Sequence, residues 1–128
     1  MTADDRPRAG AGLHDVLSAT LGAPAPWPPG ADPPSGASAA SLELSDDGTV
    51  RTGIWECTPG SFASARDGYC ELMHFAAGDA TIVDERDGTR HAIGPGSILF
   101  VPDGWRGRWE IRATVRKSYA MFQTPPTG

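Results

Sequence analysis

Short alternations of apolar and polar residues, separated by turn residues, run along the chain from Ser41 to Phe122. A period of two is typical of β-strands with one buried face, whereas an amphipathic helix needs a period near 3.6. No helical period follows residue 41, and turn signals recur about every ten residues, as in small all-β domains. The pattern predicts seven or eight short strands that form a β-sandwich or barrel.

Glycine and proline mark the ends of the predicted strands, because they favour turns and weaken strand interiors. The segment 46–48 has a hairpin signal, Asp-Asp-Gly. The predicted strands are Thr49–Thr58, Tyr69–Phe75, Ala80–Asp84, Thr89–Ile93, Ile98–Val101, Trp105–Ile111 and Val115–Phe122.

The first forty residues follow a different pattern. Four apolar residues fall on one helical face, and Gly22 follows them as a stop, which predicts a short helix: Leu13, Val16, Leu17 and Leu21. Residues 23–40 are rich in Pro, Gly, Ala and Ser, which disfavours regular structure. Trp27 is the exception, and we expect it to anchor this segment on the domain or on a second copy. The predicted organisation is an N-terminal arm at 1–40, one domain at 41–122 and a frayed tail at 123–128.

Composition narrows the class of partner. The chain has 128 residues, enough for one domain, and a net charge of −5, which argues against nucleic acid or an anionic membrane as partner. The sequence has no apolar run of transmembrane length and no secretion signal at its N-terminus. Two cysteines, Cys57 and Cys70, are too few for a disulfide scaffold, and we expect both to be reduced. A cytoplasmic protein is the expectation.

Two spaced motifs carry a family resemblance. Glu71 is followed after six residues by Gly78, and Gly96 is followed by Pro102 and Gly104 in a G-x5-P-x-G spacing. Three further segments match in order: TGIWECTPGSF at 52–62, RWE at 108–110 and VRKSY at 115–119. Together they resemble the small single-domain cupins of the ureidoglycine aminohydrolase-like (DUF861) group over about residues 41–122. The resemblance implies an RmlC-like jelly roll, a double-stranded β-helix, usually homodimeric, with a pocket inside the barrel.

The metal ligands that the resemblance implies are mostly missing. The two histidine slots before Glu71 hold either Ala65 and Asp67 or Ser64 and Arg66, and the histidine slot of the second motif holds Gly107. Glu71 alone cannot hold a transition metal, which needs at least three protein ligands. We therefore expect no metal and no other cofactor, and we do not transfer the metal-dependent release of ammonia from ureidoglycine. Gly107 is expected to leave open space beside Glu71.

Strand alternation selects the residues that face the barrel interior. If Glu71 points inward, Met73 and Phe75 do so too, and His74 points outward. On the last strands, Trp109 shares the inward face of Gly107, and Lys117 lies on the same face as Tyr119. The first strand presents either Trp55 and Cys57 or Ile54 and Glu56, and the sequence leaves this choice open.

Three functions are compatible with these residues. The first is metal-free binding of a small polar or anionic molecule, with the ligand-binding residues Trp55, Met73, Phe75 and Trp109. The second is a hydrolase, lyase or isomerase in which Glu71, with its pKa raised by burial, acts together with Lys117 or Tyr119 as catalytic residues. The third is a non-catalytic dimeric module whose aromatic residues and Glu71–Lys117 pair are purely structural.

Overall fold

The computed structural model describes residues 11–22 and 37–125, and the regular structure in these ranges consists of seven β-strands. The strands are β1 (Ala39–Asp46), β2 (Val50–Cys57), β3 (Gly60–Ala65), β4 (Tyr69–Asp84), β5 (Arg90–Ile93), β6 (Ile98–Val101) and β7 (Arg106–Gln123). All pairings are antiparallel. Within the described ranges, no helix is long and apolar enough to cross a membrane.

Two long strands, β4 of 16 residues and β7 of 18 residues, hold the barrel together. Their halves belong to different layers. One layer has the order β1-β2-β7-β4-β6, and the other has the order β3-β7-β4-β5. The register between β4 and β7 shifts repeatedly between Phe75 and Ala80, where both strands bend from one layer into the other. The apolar core contains residues of both layers, including Met73 and Ile82. This architecture confirms the predicted all-β jelly-roll class.

The sequence predicted most strands but divided the two long ones. Ile98–Val101 is observed with the predicted bounds, and a turn at 47–49 joins β1 to β2. The predicted breaks at 76–79 and 112–114 are bends within continuous strands, because register shifts let backbone pairing continue through them. Gly78 occupies one bend with a φ of 110°, a conformation that suits glycine. β1 and β3 were not among the predicted strands. The β3 sequence Gly-Ser-Phe-Ala-Ser-Ala has only one large apolar residue, so its strand signal is weak.

The predicted helix at 12–21 is wrong. Residues 11–22 form a single turn in which the Asp15 carbonyl accepts a hydrogen bond from the Ala19 amide at 2.9 Å. Leu13 and Leu17 are exposed, so no apolar face is buried to stabilise a helix this short. Arg116 instead donates hydrogen bonds from Nη1 to the carbonyls of Val16 and Ala19 and fixes the turn on the outer face of the barrel. Trp27 lies outside the described residues.

Candidate functional site

A cavity of about 810 Å³ opens between the two layers. Its wall includes five of the candidate site residues: Trp55, Glu71, Trp109, Lys117 and Tyr119. The pairing of β2 with β7 places Trp55 opposite Lys117, so alternation turns Trp55 and Cys57 inward and Ile54 and Glu56 outward. The choice that the sequence left open is therefore resolved in favour of Trp55.

A buried cluster of three charged side chains lies at the wall of this cavity. The Lys117 Nζ donates to Glu71 Oε2 at 2.7 Å, and the Arg66 Nε donates to Glu71 Oε1 at 2.8 Å. Glu71 is 0% exposed, Lys117 4% and Arg66 8%. Arg66 is held further by hydrogen bonds from Nη1 to Ser64 Oγ and to the Ala65 carbonyl. The cluster is a rigid arrangement of two cations around one carboxylate.

The electrostatics of this cluster correct one expectation. Burial on its own raises the pKa of Glu71, but the charges and hydrogen bonds of Lys117 and Arg66 outweigh burial, and the pKa lies below its usual value of 4.5. Glu71 is therefore ionised at neutral pH, and the predicted raised pKa is wrong. Burial lowers the pKa of Lys117, and the Glu71 carboxylate opposes that shift.

Aromatic rings surround the Lys117 ammonium. Its Nζ lies 4.8 Å from the ring centroid of Trp55, 5.1 Å from that of Trp109 and 5.8 Å from that of Tyr119. The faces of aromatic rings attract cations at such distances, most strongly where water is excluded. The rings and Glu71 together stabilise the charged form of Lys117, which burial alone would disfavour.

The residues at the metal position that the resemblance implies do not fit a metal ion. Arg66, in one of the histidine slots, places a positive charge on Glu71 where an imidazole would be needed. In the Gly107 slot, a Cβ atom would collide with the indole of Trp105 and with the Val83 carbonyl oxygen. The space that the missing histidine was predicted to leave at Gly107 is therefore occupied by the Trp105 indole. The described residues contain no group of three or more His, Cys, Asp or Glu that could hold a metal.

Two predicted ligand-binding residues lie elsewhere. Met73 and Phe75 are fully buried in the core and do not line the cavity, because they pack among the side chains of the opposite layer. His74 is exposed, as alternation predicted. Cys57 and Cys70 are both free thiols, also as predicted. Burial raises the pKa of the Cys57 thiol to about 11, which keeps it protonated.

Arg66 is the residue that sequence reasoning missed as a member of the site. It follows β3 and is positioned by backbone hydrogen bonds: its amide donates to the Trp105 carbonyl, and its carbonyl accepts from the Gly104 amide. The available signal was its place in a histidine slot next to an inward-facing glutamate. A buried carboxylate needs a partner, and a nearby arginine was a candidate.

Three solved structures show the same fold. The Clostridium difficile EutQ protein is 18% identical, with a TM-score of 0.60 and coverage of 69% of this chain and 70% of its own. The Schizosaccharomyces pombe Cnp3 cupin domain is 13% identical, with a TM-score of 0.63 and coverage of 86% and 72%. A DUF861-family protein of unknown function from Pseudomonas syringae pv. tomato is 28% identical, with a TM-score of 0.68 and coverage of 84% and 46%. No curated protein matches the chain.

A family model supplies the assignment. The model described as the EutQ-like cupin domain matches residues 44–119, which is more than half of the chain and includes Glu71, Gly107 and Lys117. The DUF861-family structure from Pseudomonas syringae agrees with a cupin assignment, whereas the narrower ureidoglycine aminohydrolase-like specificity stays a prediction. The chain belongs to the EutQ-like cupin domain family.

Proposed function

We propose that this cupin binds a small polar or anionic organic molecule in its barrel cavity without a metal ion. The Arg66–Glu71–Lys117 cluster carries the proposal, because it has two positive charges against one negative charge and lies at the cavity wall. A buried excess of positive charge favours a negatively charged ligand. The cavity volume of about 810 Å³ is in the range of small-molecule sites.

The ionisation and hydrogen bonding of Glu71 favour binding over the catalytic alternative. Both of its oxygens already accept hydrogen bonds from cations, and its lowered pKa opposes the proton uptake that an acid catalyst needs. The Lys117 ammonium is likewise engaged by Glu71 and three rings. The catalytic roles of Glu71, Lys117 and Tyr119 stay predictions.

Calorimetric titration with sodium acetate and sodium benzoate tests the binding proposal. We expect at least one of the two anions to bind saturably to protein that was purified without a chelator. The same protein should contain less than about a tenth of a metal ion per chain, the background expected where no specific metal site exists. Arg66→Met should weaken that binding about tenfold or more, since a charge-assisted hydrogen bond is lost. Arg112→Gln removes the same charge from an exposed pair with Asp79 outside the cavity and should leave affinity unchanged. Stoichiometric metal, or equal losses in the two variants, would contradict the proposal.

We also propose a homodimer in the cytoplasm, formed through the outer face of β6, β4 and β7. The uncharged patch on this face consists of Cys70, Leu72, His74, Ile98, Phe100, Ser118, Ala120 and Phe122. Arg116, the next outward residue of β7, is engaged by the carbonyls of Val16 and Ala19. Ile98 is 70% exposed and Phe100 56%. A two-fold interface brings a patch against its own copy, which an uncharged apolar patch permits without like-charge repulsion.

Phe100→Asp is expected to convert the dimer to a monomer, because two buried carboxylates would face each other across the two-fold axis. Light scattering coupled to size-exclusion chromatography measures the mass. Leu13→Asp is the control, since Leu13 is also a large apolar residue, is 97% exposed and lies outside this face. A monomeric wild-type protein, or a dimeric Phe100→Asp variant, would show that the face has another role.

A further inference from the structure

We propose that the ligand is an organic monocarboxylate with a flat, unsaturated body, whose carboxylate accepts hydrogen bonds from Arg66 and from the indole of Trp109. This inference rests on the proposed function and narrows it to a class of compound. It is carried by three features of the cavity wall: a filled cation site, two free N–H donors and a set of aromatic rings.

Cationic ligands are excluded by the protein's own lysine. Aromatic rings that converge on one point form a site for ammonium ligands in other proteins. Here the Lys117 Nζ occupies that point, within 6 Å of the rings of Trp55, Trp109 and Tyr119. A second cation would be repelled by Lys117 and Arg66. The rings therefore contact the ligand by apolar and ring–ring packing rather than by binding a ligand cation.

Two cavity-lining residues, Arg66 and Trp109, each have an N–H group without a partner among residues 11–22 and 37–125. The Arg66 guanidinium uses Nε and Nη1 within the protein, which leaves the Nη2 group unused. The Trp109 Nε1 is buried without a hydrogen-bond partner. A buried donor left unpaired costs roughly 1–3 kcal/mol, and a ligand oxygen that reaches it recovers that cost. Both groups donate, so the ligand must supply acceptor oxygens.

The net charge of the cluster selects a monoanion. Arg66 and Lys117 together exceed Glu71 by one positive charge, which one carboxylate balances. The other cations that line the cavity, Arg51 and Arg106, already pair with acidic side chains. A phosphate dianion would therefore bring in a second negative charge without an unpaired cation to balance it, which is costly. A carboxylate is therefore favoured over a phosphate ester of similar size.

The rings lining the cavity favour a flat ligand body. Phe62 stacks on Trp109 with centroids 5.8 Å apart and an interplanar angle of 13°, and Trp55 meets Trp109 edge to face at 5.5 Å. All three residues line the cavity. Flat unsaturated rings gain from stacked or edge-on contact beyond the area that they bury, whereas a saturated ring gains only the burial.

Five probes separate charge from shape in calorimetric titrations: benzoate, acetate, cyclohexanecarboxylate, benzamide and benzyltrimethylammonium. We expect benzoate to bind about tenfold more tightly than acetate or cyclohexanecarboxylate, from ring contact, and the neutral and cationic probes to show no saturable binding. Benzoate should also shift the indole N–H resonance of Trp109 in a proton–nitrogen correlation spectrum, with the resonance assigned by its absence in Trp109→Phe. That variant keeps a stacking ring and should bind benzoate about tenfold more weakly, because the donor is gone.

The outcomes distinguish this inference from the proposed function. If acetate and benzoate bind with equal affinity, and Arg66→Met abolishes the binding of both, the proposed anion site stands but the flat-body inference is overturned. Benzoate binding without a shift of the Trp109 resonance would overturn the indole contact and with it the inference as stated. Binding of none of the carboxylates, or binding that Arg66→Met does not change, would overturn the proposed function itself.

Discussion

Glu71→Gln is expected to lower the free energy of unfolding by about 3–5 kcal/mol at neutral pH, the usual cost of breaking a buried ion pair from one side. The substitution keeps the size of the side chain but removes the charge between Arg66 and Lys117, which are 8% and 4% exposed. Two buried cations would then share one neutral amide. The effect is measured by urea unfolding followed through tryptophan fluorescence.

The pH dependence of the stability of Glu71→Gln shows whether the unpaired charge of Lys117 causes the loss. Without Glu71, burial lowers the pKa of Lys117 further below its ordinary value of 10.5 in the folded state. The unfolded chain then binds more protons than the folded one between these two pKa values, so the stability of the variant rises with pH. We expect Glu71→Gln to recover part of its lost stability between about pH 7 and pH 10. The wild-type contribution of Glu71 behaves differently: it is fully present above pH 4.5 and is lost as the pH falls through the lowered pKa.

Two further variants complete this test. Glu110→Gln makes the same chemical change in the exposed pair with Arg90 and should cost less than about 1 kcal/mol. Lys117→Met combined with Glu71→Gln removes the unpaired lysine and should be more stable than Glu71→Gln alone, which a double-mutant cycle quantifies. If Glu71→Gln and Glu110→Gln lower the free energy of unfolding equally, the Arg66–Glu71–Lys117 cluster is not a buried unit whose charges depend on one another.

Alternation along strands explains why much of this site could be predicted. Side chains two residues apart share a face, so the inward placement of Lys117 with Tyr119 and of Trp109 with Gly107 followed from the sequence. The same rule placed His74 on the outside. Alternation gives the face of a residue but not its depth, and Met73 therefore lies in the core beneath the cavity rather than on its wall.

Contacts between distant segments were beyond the reach of local patterns. Arg66 reaches Glu71 because the strand register and the turn hydrogen bonds between residues 66 and 104–105 bring the end of β3 to that point. Trp105 fills the slot at Gly107, only two residues away, through the course of its turn, which composition does not determine. The absent histidines and Arg66 in one of their slots were visible in the sequence, whereas the contact of Arg66 with Glu71 and the Trp105 indole beside Gly107 were not.

Gly107→Ala tests directly whether Trp105 occupies the slot in which the second cupin motif has its metal-binding histidine. A Cβ atom there would collide with the Trp105 indole and the Val83 carbonyl oxygen, so we expect a loss of about 1–3 kcal/mol in the free energy of unfolding, as for other overpacked cores. Gly94→Ala is the matched control, because nothing lies within 4 Å of its Cβ and its φ is not in the left-handed region. That control should be neutral or slightly stabilising.

The consequence of this collision extends to the proposed ligand site. The Arg66 guanidinium carbon lies 6.0 Å from the Trp105 ring centroid, so an indole displaced by the new methyl group disturbs the guanidinium that faces the cavity. Trp105→Leu leaves more room, and Gly107→Ala should cost less in that background than in the wild type, a non-additivity expected of side chains in contact. Urea unfolding of the four proteins measures this coupling. Equal effects of Gly107→Ala and Gly94→Ala would mean that Trp105 does not fill the slot at Gly107.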